Sequence, residues 1–266
     1  MKLYSQVKIQ SYLFLLLTLI SILIFGCSKE LSKNDTINIE NDKERLILKL
    51  NLRIHIMTDI TMIHPSGIKM PSWVTSTNIK DIIVPEINLI WKQADINWKI
   101  ESIIEEDVFK DQSYEESIRF IASTERDSEG RSNPERLPHL FSLMNPQNMS
   151  TADELESNLY HIYLFPFIGN TSQGNAMRGY NFHSVVGTWT NKHNRGGVPE
   201  KTLLTENQNS FIRGSLSRTI CHEIGHVLGL NHNECESNCL MGGGSNGYSL
   251  SNEQVITARL SALDRL

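Results

Sequence analysis

His222 and His226 stand four residues apart, Gly229 follows, and His232 comes next in the same short stretch, "CHEIGHVLGLNHNECESNCLMGGG", residues 221 to 244. On an α-helix, residues four apart share one face a turn above each other, so both imidazoles can reach a single point. Gly229 is the residue type that ends a helix in a left-handed conformation. Beyond it the chain can swing back and bring His232 over the same face. The spacing therefore dictates a helix, a stop and a reversal, with three ring nitrogens meeting. Glu223 lies beside that face, where it can hydrogen-bond a water held by an ion without ligating the ion itself. Three neutral imidazoles that leave a fourth tetrahedral position open suit one zinc ion best. The bare His-Glu-x-x-His pattern arises by composition in roughly one chain in fifty of this length, but Gly229 and His232 lower that to roughly one in ten thousand. A solvated helix that merely carries histidines is a poor account of it.

The rest of the chain can supply the scaffold such a site needs. Its 266 residues are 39% hydrophobic and 21% charged, ordinary for a globular protein that buries a real core. The formal net charge is -5 and no long basic block occurs, so nothing recommends a nucleic-acid partner. "RLILKLNLRIHIM", residues 45 to 57, alternates apolar and polar side chains as a half-buried strand does. Ile79, Ile82, Ile83, Ile87, Ile90, Trp91 and Ala94 recur at helical spacing. Pro85 interrupts them, so the helix either begins shortly before it or is kinked by it. Residues 96 to 104 alternate again as a second strand, and 113 to 123 read as a short helix.

Residues 124 to 157, with Pro134, Pro138 and Pro146, give no consistent pattern. Strands are expected at 158 to 169 and 184 to 190, with a loop or weak edge strand between them, and a loop at 191 to 200. The helical pattern returns from about Ser215 to Leu230. A last helix follows in "SLSNEQVITARLSAL" with Ser251 as its N-cap. This order makes one mixed α/β domain over residues 45 to 266.

The N-terminus follows a different logic. Lys2 and Lys8 precede the apolar run "YLFLLLTLISILIF", residues 12 to 25, the pattern of a secretory signal peptide and shorter than a membrane span. Ile24-Phe25-Gly26-Cys27 resembles a bacterial lipoprotein box, which implies removal of residues 1 to 26 and lipidation of Cys27. The alternatives are an uncleaved anchor or a plain signal peptide with an incidental cysteine. Residues 27 to 44 are polar and aperiodic and read as a flexible tether. Each reading places the mature protein outside the cytoplasm, and the lipoprotein reading ties it to a membrane through its N-terminal lipid.

His222-Glu223-x-x-His226-x-x-Gly229-x-x-His232, followed by Met241 in "CLMGG", resembles the metzincin clan of zinc endopeptidases. The motif spans residues 222 to 241 only, and the "HEIGHVLGLNH" helix with the "LSNEQVITAR" ending is most similar to matrixin-like bacterial proteins. The resemblance implies a twisted mixed β-sheet packed on an active-site helix, a methionine turn at Met241 beneath the metal, and a C-terminal helix. It also implies hydrolysis of a protein or peptide substrate. Zinc then polarises the scissile carbonyl and acidifies a water, while Glu223 acts as general base. The substrate is expected to lie extended along an edge strand above the motif helix, best placed within residues 174 to 183. Two other classes share much of this chemistry: a zinc hydrolase of non-peptide amides, and a surface binding module that keeps the metal for stability. Retention of Glu223 speaks against the second.

Cys235 and Cys239 flank the turn after His232 and can pair in an oxidising compartment, or remain two free thiols. Cys221 faces away from the ligand beside it and reads as a buried structural cysteine. His183 and His193 lack a recognisable ligand spacing and read as surface histidines, with a second zinc site as the less favoured alternative. Asp127 and Glu129 near Gly130 read as a solvated acidic loop, with a calcium site as the less favoured alternative.

Overall fold

The alternation at the start of the domain does form a strand, β1 (Leu48–Thr58), and it occupies an interior position in a five-stranded sheet. The computed structural model describes residues 46–123, 136–144, 159–169, 174–177, 183–191, 198–205, 215–232, 238–242 and 247–266. The expected signal peptide and tether, including Cys27, lie outside those residues, as do Asp127, Glu129, His193 and Cys235. Among the described residues no helix is long and apolar enough to cross a membrane.

A short hairpin of β2 (Thr61–Ile63) and β3 (Lys69–Pro71) follows β1. The helical run expected around Pro85 starts earlier, at Ser76–Asn78, where Thr75 and Asn78 form a reciprocal capping box. It widens into a π-helical stretch at Ile79–Ile83, with the Val84 N–H reaching back to the Ile79 carbonyl. It then continues as α1 (Val84–Trp91) and closes in a 3-10 turn at Lys92–Ala94. Pro85 therefore falls in the first turn of α1, where its missing N–H costs little, and the wider turn before it absorbs the mismatch.

Next come β4 (Ile96–Asp107), α2 (Tyr114–Ser123) and α3 (Arg136–Ser142). The helix α3 lies in the segment that sequence pattern left unplaced. Pro138 hides it from a pattern reading, yet a proline in a first turn removes only an N–H that has no intrahelical partner. β5 (Leu159–Phe165) is buried at every position and stops before Pro166, which cannot donate to a ladder. β6 (Gly174–Met177) and β7 (His183–Gly187) complete the sheet in the order β4-β1-β5-β7-β6. β4, β1, β5 and β7 are parallel, and β6 pairs antiparallel with β7 as an edge.

The strand expected at 184 to 190 is split in two. Thr188 and Trp189 donate their amides to Phe165 and Pro166, and the chain leaves the main sheet. Trp189–Asn191 (β8) then pairs with β9 (Pro199–Lys201), so part of the expected 191 to 200 loop is strand. α4 (Leu216–Val227) and α5 (Asn252–Leu263) close the chain. Ser251 caps α5 as expected, in a capping box with Gln254.

The sheet is covered on both faces, which explains the near-continuous apolar run of β5. Leu50, Leu52, Ile54, Ile162 and Leu164 form one core with α1, α4 and α5. Met57, Tyr163, Phe165 and Val185 form the other with α2 and α3. That second face also buries a polar line: His55 Nδ1 lies 2.9 Å from Glu106 Oε1 and its Nε2 lies 3.0 Å from His161 Nδ1. The histidine motif sits on the first face, carried by α4.

Candidate metal centre

Ser215 opens α4 by accepting the Arg218 amide on its side-chain oxygen. The helix runs to Val227 with Ile220, Cys221, Ile224 and Val227 buried in the core, so its register is fixed by packing. His222 and His226 are left on the partly open side. Gly229 takes φ +90°, and the Leu230 amide bonds back to the Gly225 carbonyl at 2.9 Å. This is the helix stop that the glycine spacing announced, with buried Leu230 anchoring it. His232 returns from there.

The three rings converge. His232 Nε2 lies 3.1 Å from His222 Nε2 and 2.8 Å from His226 Nε2, and the three ligand atoms fall within 4.8 Å of one another. Backbone carbonyls fix which nitrogen faces inward. His222 Nδ1 donates to the Leu240 carbonyl at 2.7 Å, and His226 Nδ1 donates to the Leu230 carbonyl at 2.9 Å. In neutral rings that leaves both inward Nε2 atoms as lone pairs. One hydrogen on His232 can satisfy only one of them, whereas a cation satisfies all three. Tetrahedral zinc about 2.0–2.1 Å from each nitrogen sets them about 3.3 Å apart, close to the observed spacing. The donor set fits zinc.

Burial pushes the His222 imidazole down to about 3, which favours the neutral, ligating form. The same effect acts in reverse on Glu223, which is 5% exposed: burial pushes its carboxyl up to about 8. The Ala176 amide, which donates to that carboxyl, and the Arg136 and Arg218 guanidinium groups oppose the rise.

Met241 is fully buried beneath α4. Gly225 makes room for it, since a Cβ there would lie 2.4 Å from the Met241 sulfur. The turn closes with the Gly242 amide bonding to the Cys239 carbonyl, and Arg218 pins it from α4. That buried guanidinium donates to the carbonyls of Leu240 and Gly247, at 3.0 and 2.8 Å.

The structure thus brings together His222, Glu223, His226, Gly229, His232 and Met241. Cys239 is disulfide-bonded and buried, whereas Cys235, its expected partner, lies outside the described residues. Cys221 is buried, as its helical position suggested. Within residues 174 to 183 the edge strand is Gly174–Met177, and α4 packs against it and β7. Sequence reasoning missed the carbonyls of Leu230 and Leu240, the Ala176 amide, Gly174, Gly225 and the two buried arginines. Of these only Gly225, inside the motif itself, carried a local signal.

No family model matches the chain, and no curated protein matches it. Among solved structures, a chain described as belonging to the "Structure of a chaperone-substrate complex" is 15% identical with a TM-score of 0.37, over 82% of this chain and 39% of that one. This chain therefore spans about two fifths of that chain's length, and a likeness at that score supports no statement about function.

Proposed function

We propose that the protein is a zinc-dependent endopeptidase of metzincin-like organisation, held outside the cytoplasm by a lipid on Cys27. The convergence of three imidazole Nε2 atoms, with the buried Glu223 next to His222 on the same helix, carries the reading. The antiparallel edge strand β6 next to α4 and the Met241 turn beneath that helix support the metzincin-like part.

His222, His226 and His232 would hold the ion, with the Leu240 and Leu230 carbonyls orienting two of the rings. Zinc in that position supplies Lewis-acid polarisation of a carbonyl and lowers the pKa of a water. Glu223 would serve as the general base that accepts a proton from the attacking water and passes it to the leaving amine. In the metal-free chain burial raises the proton affinity of this carboxyl, which suits a group that has to accept a proton. Among the described residues β6 pairs with β7 alone, and its other edge is where an extended peptide would add by main-chain pairing.

Zinc content and cleavage of a quenched fluorescent peptide library, measured on the same preparations, test the reading. Glu223→Ala is expected to keep near-stoichiometric zinc and to lose about two to four orders of magnitude in rate. His226→Ala is expected to lose zinc and activity together. Wild-type cleavage rates in Glu223→Ala with zinc bound would refute the general-base role. Zinc-bound wild type that cleaves no peptide would transfer the assignment to a non-peptide amide hydrolase or a metal-stabilised binding module.

A further inference from the structure

β6 touches Glu223 more intimately than a neighbouring substrate strand needs to. A Cβ built on Gly174 would sit 2.3 Å from Glu223 Oε1, 2.5 Å from its Cγ and 2.6 Å from its Cδ. Three atoms along the glutamate side chain therefore lie flat against the Gly174 backbone. Two residues on, the Ala176 amide donates to the same carboxyl. The backbone of Gly174 is not in the left-handed region, as those of Gly169 and Gly229 are, so its conformation alone would admit any residue. The requirement for glycine is purely steric, and the group that imposes it is Glu223. Glu223 is itself buried and flanked along α4 by the buried Cys221, Ile224 and Gly225, which leaves it little room to withdraw.

We propose that Gly174, together with the Ala176 amide, forms a cradle that fixes the position of the Glu223 carboxyl, making Gly174 a positioning residue of the site. The catalytic half of this rests on the hydrolase reading; the contact itself does not. Side chains at 174 larger than hydrogen displace the carboxyl, and a general base displaced by an ångström loses much of its effect. The edge strand then has two duties, to pair with an extended peptide and to hold the base against it.

The test is a double-mutant cycle on the full-length, zinc-loaded protein. Gly174→Ala is expected to lower the thermal midpoint of the wild type and to leave that of Glu223→Ala unchanged, because the truncated side chain makes room for the new methyl. Zinc content is expected to stay stoichiometric in Gly174→Ala, while kcat falls about tenfold or more and KM stays within about threefold. Should Gly174→Ala fail to fold, recovery of folding in the Glu223→Ala background supports the contact equally well. An equal drop in midpoint in both backgrounds overturns the cradle, because the clash would then be with something other than Glu223. Coupled midpoints with wild-type kcat overturn the positioning role. If the wild type hydrolyses no peptide, the hydrolase reading and the positioning role fall together, and the midpoints still decide the contact.

Discussion

Replacing Glu223 by glutamine should stabilise the metal-free protein, and by an amount that depends on pH. Burial raises the carboxyl from its ordinary value near 4.5 to about 8 in the folded chain. Between those two values the unfolded chain releases a proton that the folded chain retains. Stability is therefore fully present below pH 4.5 and is lost as pH rises towards 8. Each pH unit in that window costs about 1.4 kcal/mol, so at pH 7 the carboxyl costs the fold about 3 kcal/mol that glutamine does not. His222 slopes the other way, since its depressed imidazole loses stability as pH falls below 6.5. That contribution is common to both proteins and cancels in their difference. Urea unfolding of chelator-treated wild type and Glu223→Gln at pH 5, 6, 7 and 8 reads the effect directly. The gap should be small at pH 5 and widen steadily to pH 8. A gap that stays constant across that range, or one that narrows with rising pH, would refute a buried carboxyl held up by desolvation.

Gly225→Ala places a methyl 2.4 Å from the Met241 sulfur and 3.2 Å from its Cε. Overpacking of about 1–3 kcal/mol outweighs the helix gain of about 1 kcal/mol, so net destabilisation of up to about 2 kcal/mol is expected in urea unfolding. Adding Met241→Ala should cancel the overpacking, and an unchanged penalty in that double variant would exclude Met241 as its cause. At the other end of the chain, bacterial expression with labelled fatty acid should label the wild type and not Cys27→Ala. Label that persists in the variant rules out lipidation at Cys27.

Local pattern announced those parts of the protein whose physics is local. The helix, stop and return of residues 222 to 232 follow from spacing alone, because the period of a helix and the conformational freedom of Gly229 need no distant partner. Ser251 was legible as a cap for the same reason, and β1, β4 and β5 through their alternation or continuous burial. Where tertiary context decides, the pattern failed. Val185 and Trp189 read as one strand, but hydrogen bonds from Thr188 and Trp189 to the end of β5 divide it between two sheets. α3 was hidden by a proline in its first turn. Nothing near Gly174 in the chain shows that its missing side chain serves Glu223, since the two meet only when the edge strand docks on α4.

The orientation of the histidine cluster is likewise a tertiary product, although its residues are adjacent in sequence. His226 is aimed by the Leu230 carbonyl just past its own helix, so forming the glycine stop also aims the ring. His222 depends on the Leu240 carbonyl, which arrives only when the turn bearing Met241 folds beneath α4. Arg218 lies one turn before His222 on that helix and donates to the same Leu240 carbonyl, so one buried guanidinium ties the turn to the element that carries His222. Gly225 admits Met241 below the helix while Gly174 admits Glu223 beside the edge strand. Two missing side chains thus let three elements approach closely enough for backbone groups to orient the histidines and the carboxyl. A motif of helical spacing supplies the nitrogens, and the sheet edge and the methionine turn determine where they and the Glu223 carboxyl point.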